Sequence, residues 1–318
     1  MQDVQIVKGA SGPVYSSLKV LGHVEYLCKF EHEIILYPQL KRVDFINRIM
    51  KKPVYPKETV HYAFPFAIPT DYHFWVDNMA HQNTYKIDVP GGVMRPDLDQ
   101  IPGSIRDNYV ARHWLSISRE DYGTVWSSVD APVVQLGGIQ TDKYLPWLTM
   151  QDDNWLARGW LYSFLMHNHW VVDVPIAQGG DYLFRYSLTT HGSDWCYNDA
   201  HHFGWSNLSP LRVFTVEGAQ GGKWPEAARS FLEASPENVY LAGFKTAEDG
   251  KGVILRLYEG AGLATNAVIN FKLPGVSVKS AALCDGRERV LSPAAVENNS
   301  LRIALKPWET STVRVQVG

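Results

Sequence analysis

Apolar and polar residues alternate along this chain in many short runs, the pattern of strands with one buried and one solvated face. Turn residues separate the runs, and few stretches have the spacing of an amphipathic helix. The pattern therefore predicts an all-β protein built from packed antiparallel sheets. In the first part of the chain the predicted strands are residues 14–20, 33–37, 42–46, 61–68, 111–118, 124–128 and 133–136.

Helical signals are limited to two short segments. Residues 225–234 begin with a proline and place apolar residues on one face. Residues 199–205 follow a polar loop, and Asp199 is expected to cap the start of that helix. Neither helix is long enough to change the prediction of an all-β fold.

A change of composition divides the chain near residues 217–237, where a glycine-rich polar stretch precedes the first predicted helix. We predict a first β-domain over residues 1–217, a linker with a short helix over 218–237, and a small β-sandwich over 238–318. Residues 248–252 predict a hairpin turn. The strands predicted for the second domain are residues 239–244, 252–258, 266–273, 278–283, 301–305 and 312–317.

Composition restricts the class of protein. Hydrophobic residues make up 45% of the 318 residues and charged residues 20%, which is typical of a globular protein. A net charge of -3 without a basic stripe argues against a nucleic-acid partner. No apolar run reaches the ~20 residues of a membrane span. Three widely spaced cysteines favour reduced thiols and hence a cytoplasmic location.

The most informative segment runs from His167 to Ser187 and contains Trp170 and Gln178. Polar and aromatic residues alternate up to a glycine turn, and a second β-like run follows the turn. Amide and carboxylate side chains offer donors and acceptors to sugar hydroxyls, and an indole can stack on the C–H face of a sugar. The alternative is that Trp170 belongs to the core and Asn168 ties a neighbouring strand.

Other groups are weaker candidates for chemistry. Adjacent acids occur in turn-like contexts, at 97/99, 120/121, 152/153 and 248/249, where local hydrogen bonding explains them. His167 and His169 share a face on a strand but have no further ligands at a matching spacing. A denser polar cluster reads more simply as a loop entering a helix than as a metal site; its members are Asp194, Cys196, Asp199, His201 and His202.

Several landmarks in order carry a resemblance that covers nearly the whole chain. Together they resemble the C-terminal β-region of glycoside hydrolase family 38, the α-mannosidases. The landmarks are residues 11–15, 37–38, 42–45, 62–66, 98–104, 129–133, 137–139, 237–239, 245–249, 255–259 and 305–310.

The resemblance implies a galactose-mutarotase-like supersandwich, truncated at its N-terminus, followed by a small β-sandwich. It places the catalytic zinc, the nucleophilic aspartate and the acid/base carboxylate in an N-terminal domain outside this chain. We therefore expect no catalytic residue, metal or cofactor here. We expect instead a scaffold and part of the wall of a mannoside pocket, with Asn168, Trp170, Asp173 and Gln178 facing the sugar.

A truncated sandwich would have open sheet edges, which must be covered. We therefore expect self-association, capping of the edge by residues 1–12, or poor solubility without the upstream region. The resemblance also implies the missing N-terminal catalytic domain as a partner. Two other functions stay open from the sequence. One is a stand-alone carbohydrate-binding module, and the other is an aldose-epimerase-like protein, which would need a His and a carboxylate paired in one cleft.

Overall fold

The computed structural model separates the chain into two compact units. One contains Met1–Trp195 with Asp199–Pro210, and the other contains Leu211–Gly318 with Cys196–Asn198. The sequence placed the division a few residues later, at 217. The structure describes residues 1–24, 28–68, 85–96, 98–104, 106, 108–118, 122–139, 156, 159–168, 177–192, 197–218, 230–272 and 275–318.

The first unit consists of two antiparallel sheets and one helix. The larger sheet has nine strands in the order β1-β2-β3-β4-β13-β10-β9-β6-β7, and the smaller has the order β5-β12-β11-β8. The elements are β1 Gln2–Ser11, β2 Ser16–Val24, β3 Cys28–Leu36, β4 Val43–Lys51, β5 Thr59–Pro65, β6 Tyr85–Val89, β7 Gly92–Met94, β8 Tyr109–Val110, β9 Leu115–Ser118, β10 Tyr122–Ser128, β11 Val133–Leu136, β12 Trp160–His167, β13 Gly180–Gly192 and α1 Tyr197–Leu208.

Aromatic side chains join the two sheets. Phe64 of β5 lies 6.0 Å from Phe45 of β4 and 5.1 Å from Tyr186 of β13, ring centre to ring centre, with edge-to-face geometry. Trp126 of β10 is 1% exposed in the same core. The predicted all-β sandwich is confirmed, and several of its aromatic residues form this core.

Helix α1 begins two residues earlier than predicted. Asp199 therefore lies in its first turn and is not the capping residue. A carboxylate in the first turn still interacts favourably with the helix dipole. Ala200 and His201 are fully buried, which identifies the face of the helix that is packed. No helix in the described part of the chain is long and apolar enough to cross a membrane.

The second unit is one eight-stranded antiparallel sheet, in the order β14-β17-β20-β19-β18-β21-β16-β15, that folds over a common core. The hairpin predicted at 248–252 is confirmed, with Gly250 and Gly252 at positive φ. The strands are β14 Leu232–Ser235, β15 Val239–Thr246, β16 Val253–Glu259, β17 Thr265–Phe271, β18 Val278–Cys284, β19 Val290–Glu297, β20 Ser300–Leu305 and β21 Thr310–Val317.

The helix predicted over 225–234 is wrong at its C-terminal end. Residues 232–235 form β14, which pairs with β17 from Leu232 opposite Phe271 to Ser235 opposite Val268. Residues 219–229 lie outside the described residues. A pairing partner more than 30 residues away overrode the local helical spacing, as tertiary context often does.

The sheets of the first unit differ in size, so part of the larger sheet has no described sheet over it. Residues 1–12 do add an edge strand, β1, but this strand is itself open. Its residues Val4 and Ile6 are 49% and 69% exposed, and Leu18 of β2 is 47% exposed. An exposed apolar edge of this kind favours pairing with further polypeptide.

Two buried tyrosines give a matched test of this core. Tyr186 donates a hydrogen bond to Ser163 Oγ at 2.9 Å, whereas the Tyr62 hydroxyl is buried and has no partner among the described residues. Burial raises the pKa of Tyr62 above its ordinary value. We expect Tyr186→Phe to lower the free energy of unfolding by about 1–2 kcal/mol and Tyr62→Phe to lower it by less than about 0.5 kcal/mol. Urea denaturation checks both, and equal losses would mean that the Tyr62 hydroxyl has a partner.

Candidate functional site

The predicted sugar-facing residues lie around the end of β12 and the start of β13. Asn168 directly follows β12, and Gln178 precedes β13 by two residues. Trp170 and Asp173 fall between them and lie outside the described residues. The structure therefore shows the two ends of the predicted segment and what holds them.

Asn168 is 6% exposed and ties residues 54–58 to the end of β12. Its Nδ2 donates to the carbonyl oxygens of Val54 at 3.0 Å and Pro56 at 2.8 Å, and its Oδ1 accepts from the Glu58 N–H at 2.6 Å. Its own N–H donates to Glu58 O at 3.2 Å. Both N–H groups of the Asn168 side-chain amide are thus bonded within the protein. This arrangement resembles the structural alternative considered from the sequence, in which Asn168 ties a neighbouring segment.

The segment from residue 52 to residue 58, hereafter the 52–58 loop, is anchored by a buried ion pair. The Lys51 side chain is 0% exposed and its Nζ contacts the carboxylate of Glu58, which is 16% exposed. Lys51 Nζ also donates to Lys52 O at 3.2 Å. Cys28 lies opposite Lys51 in the β3–β4 register, and burial raises the pKa of its thiol.

The other end of the predicted segment rests on the same loop. A Cβ placed on Gly179 would lie 2.8 Å from Cδ of Pro53, so only glycine allows this close approach. Gln178, next to it, is half-buried. Both ends of the segment 168–179 therefore meet the 52–58 loop. The loop carries one strongly exposed aromatic residue, Tyr55, which is 69% exposed.

The described residues of this arrangement can position a segment but offer no free carboxylate. Glu58 is committed to Lys51, and retaining glycoside hydrolysis would need a second carboxylate about 5–5.5 Å away. The two prolines and the four hydrogen bonds of Asn168 restrict the loop to one conformation. Such a loop suits a rigid wall of a binding site, with chemistry supplied from elsewhere.

A second polar cluster, which the sequence did not reveal, lies on the large sheet. Asp88 is 0% exposed, and its Oδ2 lies 2.7 Å from His113 Nδ1 and accepts from the His113 N–H at 3.1 Å. The other oxygen, Oδ1, is buried without a partner among the described residues. Helix α1 covers this pair, with the Trp205 ring 5.0 Å from that of His113.

Further bonds fix α1 to the same sheet. Asn207 donates to Ser127 Oγ at 2.9 Å and accepts from Ser187 Oγ at 2.9 Å and from Arg42 at 3.0 Å. Asp44 completes the network by accepting from Arg42 and Ser187, each at 2.5 Å. The Asp88–His113 pair therefore belongs to a buried docking surface for the helix, and its residues serve to hold α1 in place.

The other candidates raised by the sequence do not form a site among the residues that the structure describes. In the described part of the chain no group of three or more His, Cys, Asp or Glu side chains could hold a metal ion. Asp99 pairs with Arg95 at 2.7 Å, and Asp249 pairs with Arg314. Several candidates lie outside the described residues: Asp97, Glu120, Asp121, Asp152, Asp153, His169, Asp194 and Cys196.

Comparisons with known proteins identify the relatives of both units. Residues 238–313 match the family model of the glycosyl hydrolases family 38 C-terminal β-sandwich domain. The chain is similar to an α-mannosidase from Enterococcus faecalis V583, with a TM-score of 0.69 at 13% identity, over 98% of this chain and 35% of that one. A sequence comparison with curated proteins gives no match.

Two further solved structures are similar to the chain. A glycosyl hydrolase family 38 protein from Enterococcus faecalis has a TM-score of 0.67 at 13% identity, over 98% of this chain and 36% of that one. A galactose 1-epimerase from Lactobacillus acidophilus NCFM aligns with 59% of this chain and 66% of that one at 7% identity, and its TM-score of 0.32 is too low to carry an argument. The chain thus spans about a third of the length of the first two structures.

Proposed function

We propose that this chain is the C-terminal β-region of a glycoside hydrolase family 38 protein and the non-catalytic part of an α-mannosidase. It serves as a scaffold and supplies part of the wall of the sugar pocket. The zinc and both reactive carboxylates come from a catalytic domain outside this chain, as the family resemblance implies.

One observation carries this proposal. A single fold similarity extends over 98% of the chain and over about a third of an α-mannosidase, while the family model matches the second unit independently. Such a partial match fits a region that contributes to a larger enzyme, because the remaining two thirds have no counterpart here.

The state of the buried carboxylates supports a non-catalytic role. Three carboxylates among the described residues already have a partner within the protein: Glu58 pairs with Lys51, Asp44 pairs with Arg42, and Oδ2 of Asp88 contacts His113. A carboxylate that acts on a glycosidic bond must face the substrate and exchange a proton or form a covalent bond there.

The proposed pocket wall is the segment 168–179 on the 52–58 loop. Trp170, Asp173 and Gln178 are proposed to face the mannoside, whereas Asn168 holds the 52–58 loop. The matching hypothesis of a stand-alone carbohydrate-binding module uses the same residues but needs no second domain.

An assay with 4-nitrophenyl α-mannoside and added Zn²⁺ tests whether hydrolysis requires a catalytic domain in addition to this chain. We expect no turnover by this chain alone and turnover by a polypeptide that also carries the upstream region. Robust hydrolysis by the chain alone would overturn the proposal.

Calorimetry with methyl α-mannoside distinguishes the proposal from the hypothesis of a stand-alone binding module. Tight binding by the chain alone would favour the binding module, provided that Trp170→Ala abolishes it and the control Trp160→Ala does not.

A further inference from the structure

The segment from Leu211 to Val216, hereafter the 211–216 segment, has the composition of a strand but no partner. It follows Pro210 in extended sequence and has no backbone hydrogen bond to any other described residue. Four of its six residues are large, apolar and exposed to solvent: Leu211 by 98%, Val213 by 94%, Phe214 by 78% and Val216 by 69%.

Exposure on this scale in one short segment is unusual. Scattered exposed apolar residues need no explanation, but contiguous ones mark an interaction surface. Leu211, Val213 and Thr215 would share one face of a strand, and Arg212, Phe214 and Val216 the other. With apolar residues on both faces, the segment resembles an interior strand more than a solvated edge.

The segment is complementary to itself in an antiparallel pairing. A two-fold axis requires a register centred on one residue, and centring on Val213 places Val213 opposite its own copy. Arg212 then lies opposite Phe214, where a guanidinium can stack on the ring, and Leu211 lies opposite Thr215. No like charges lie directly opposite each other, and the two Arg212 side chains lie diagonally on one face, where each can stack on Phe214 of the other copy.

We propose that two copies of this chain associate through the 211–216 segment as antiparallel strands centred on Val213. The pairing satisfies backbone groups that have no described partner and brings the apolar side chains of both copies together. This inference stands apart from the proposed function, because it concerns only this chain and a second copy of it.

Sedimentation velocity over a range of concentrations tests the association. We expect a reversible dimer for the wild type and a dissociation constant raised at least about tenfold in Val213→Asp, because two carboxylates would then lie directly opposite each other. Val7→Asp is the control. Val7 is exposed on the open edge strand β1, and its substitution should change the dissociation constant less than about twofold.

A cysteine pair tests the register. Val213→Cys should form a disulfide between two copies under mild oxidation, since opposite residues of an antiparallel pair approach within disulfide range, and Leu211→Cys should not. Peptide mapping separates this bond from bonds of the native cysteines. A wild type that stays monomeric overturns the proposal, and this result is expected if other polypeptide covers the segment. A dimer that Val7→Asp breaks and Val213→Asp leaves intact also overturns it.

Discussion

Glu58→Ala is expected to destabilise the first unit by about 3–5 kcal/mol, because it leaves the ammonium group of Lys51 buried without a counter-charge. The Lys51 side chain is 0% exposed, so water cannot replace the lost carboxylate. The 52–58 loop should keep its backbone hydrogen bonds to Asn168 and lose only its contact with the Lys51 side chain. Urea denaturation followed by tryptophan fluorescence measures the loss.

Two further variants separate the buried charge from other effects of the substitution. In Lys51→Met combined with Glu58→Gln the charges are removed together, and stability should return to within about 1 kcal/mol of the wild type. Glu31→Ala breaks a half-exposed pair with Lys19 on the same sheet and should cost less than about 1 kcal/mol. If Glu58→Ala costs no more than Glu31→Ala, the pair is solvated and the account of the loop is wrong.

The strands of both units follow from local alternation, and every predicted run overlaps an observed strand. Several strands were not predicted. In β1 the consecutive apolar residues Ile6 and Val7 interrupt the alternation, and β19 contains Pro293, which argues against a strand in sequence-based reasoning. Strand β14 was mistaken for a helix because its partner in β17 is distant in the sequence.

The candidate site was predictable only in part. Asn168 stands out in the sequence as an amide within an aromatic run, but its partners lie 110 or more residues away at Val54, Pro56 and Glu58. Nothing in the sequence pairs Lys51 with Glu58, because a lysine and a glutamate seven residues apart are common. The burial that gives such residues their role is a property of the fold and not of the local sequence.

The structure also explains why the sequence missed the Asp88–His113 pair. The two residues belong to different segments of the large sheet, 25 residues apart, and no known motif has that spacing. Only the coverage by α1, which brings Trp205 onto His113, makes the pair a buried unit. The polar residue Asn207 of α1 indicates a buried contact only once its partners on the large sheet are known.

In the second unit, Glu259→Gln is expected to cost about 2–4 kcal/mol of stability, because buried N–H donors lose their acceptor. Glu259 is 0% exposed, and its carboxylate accepts hydrogen bonds from the backbone N–H groups of Ala261, Gly262, Leu263 and Trp308 at 2.7–3.1 Å. Asn238 Nδ2 adds a fifth at 2.7 Å. An amide has one acceptor oxygen, so its NH₂ group would face N–H donors and leave them without partners.

The same carboxylate predicts an acid limit to the stability of this unit. Burial raises the pKa of Glu259, but the bonds from Trp308, Asn238 and the neighbouring N–H groups outweigh it, so that the pKa lies below its ordinary value. A lowered pKa in the folded state contributes stability that is present above the unfolded pKa of about 4.3 and is lost as pH falls through the folded pKa. Glu259→Gln should remove this part of the pH dependence.

Hydrogen–deuterium exchange at increasing urea, resolved to strands β17 and β20, measures the second unit separately from the first. Glu297→Gln provides the control, because Glu297 forms an exposed pair with Arg302 and should change stability by less than about 0.5 kcal/mol. Since one carboxylate joins the loop after β16 to the turn before β21, its loss should raise exchange in both strands together. Exchange that rises only near residue 259 would mean that the carboxylate organises one loop and not the core of the unit.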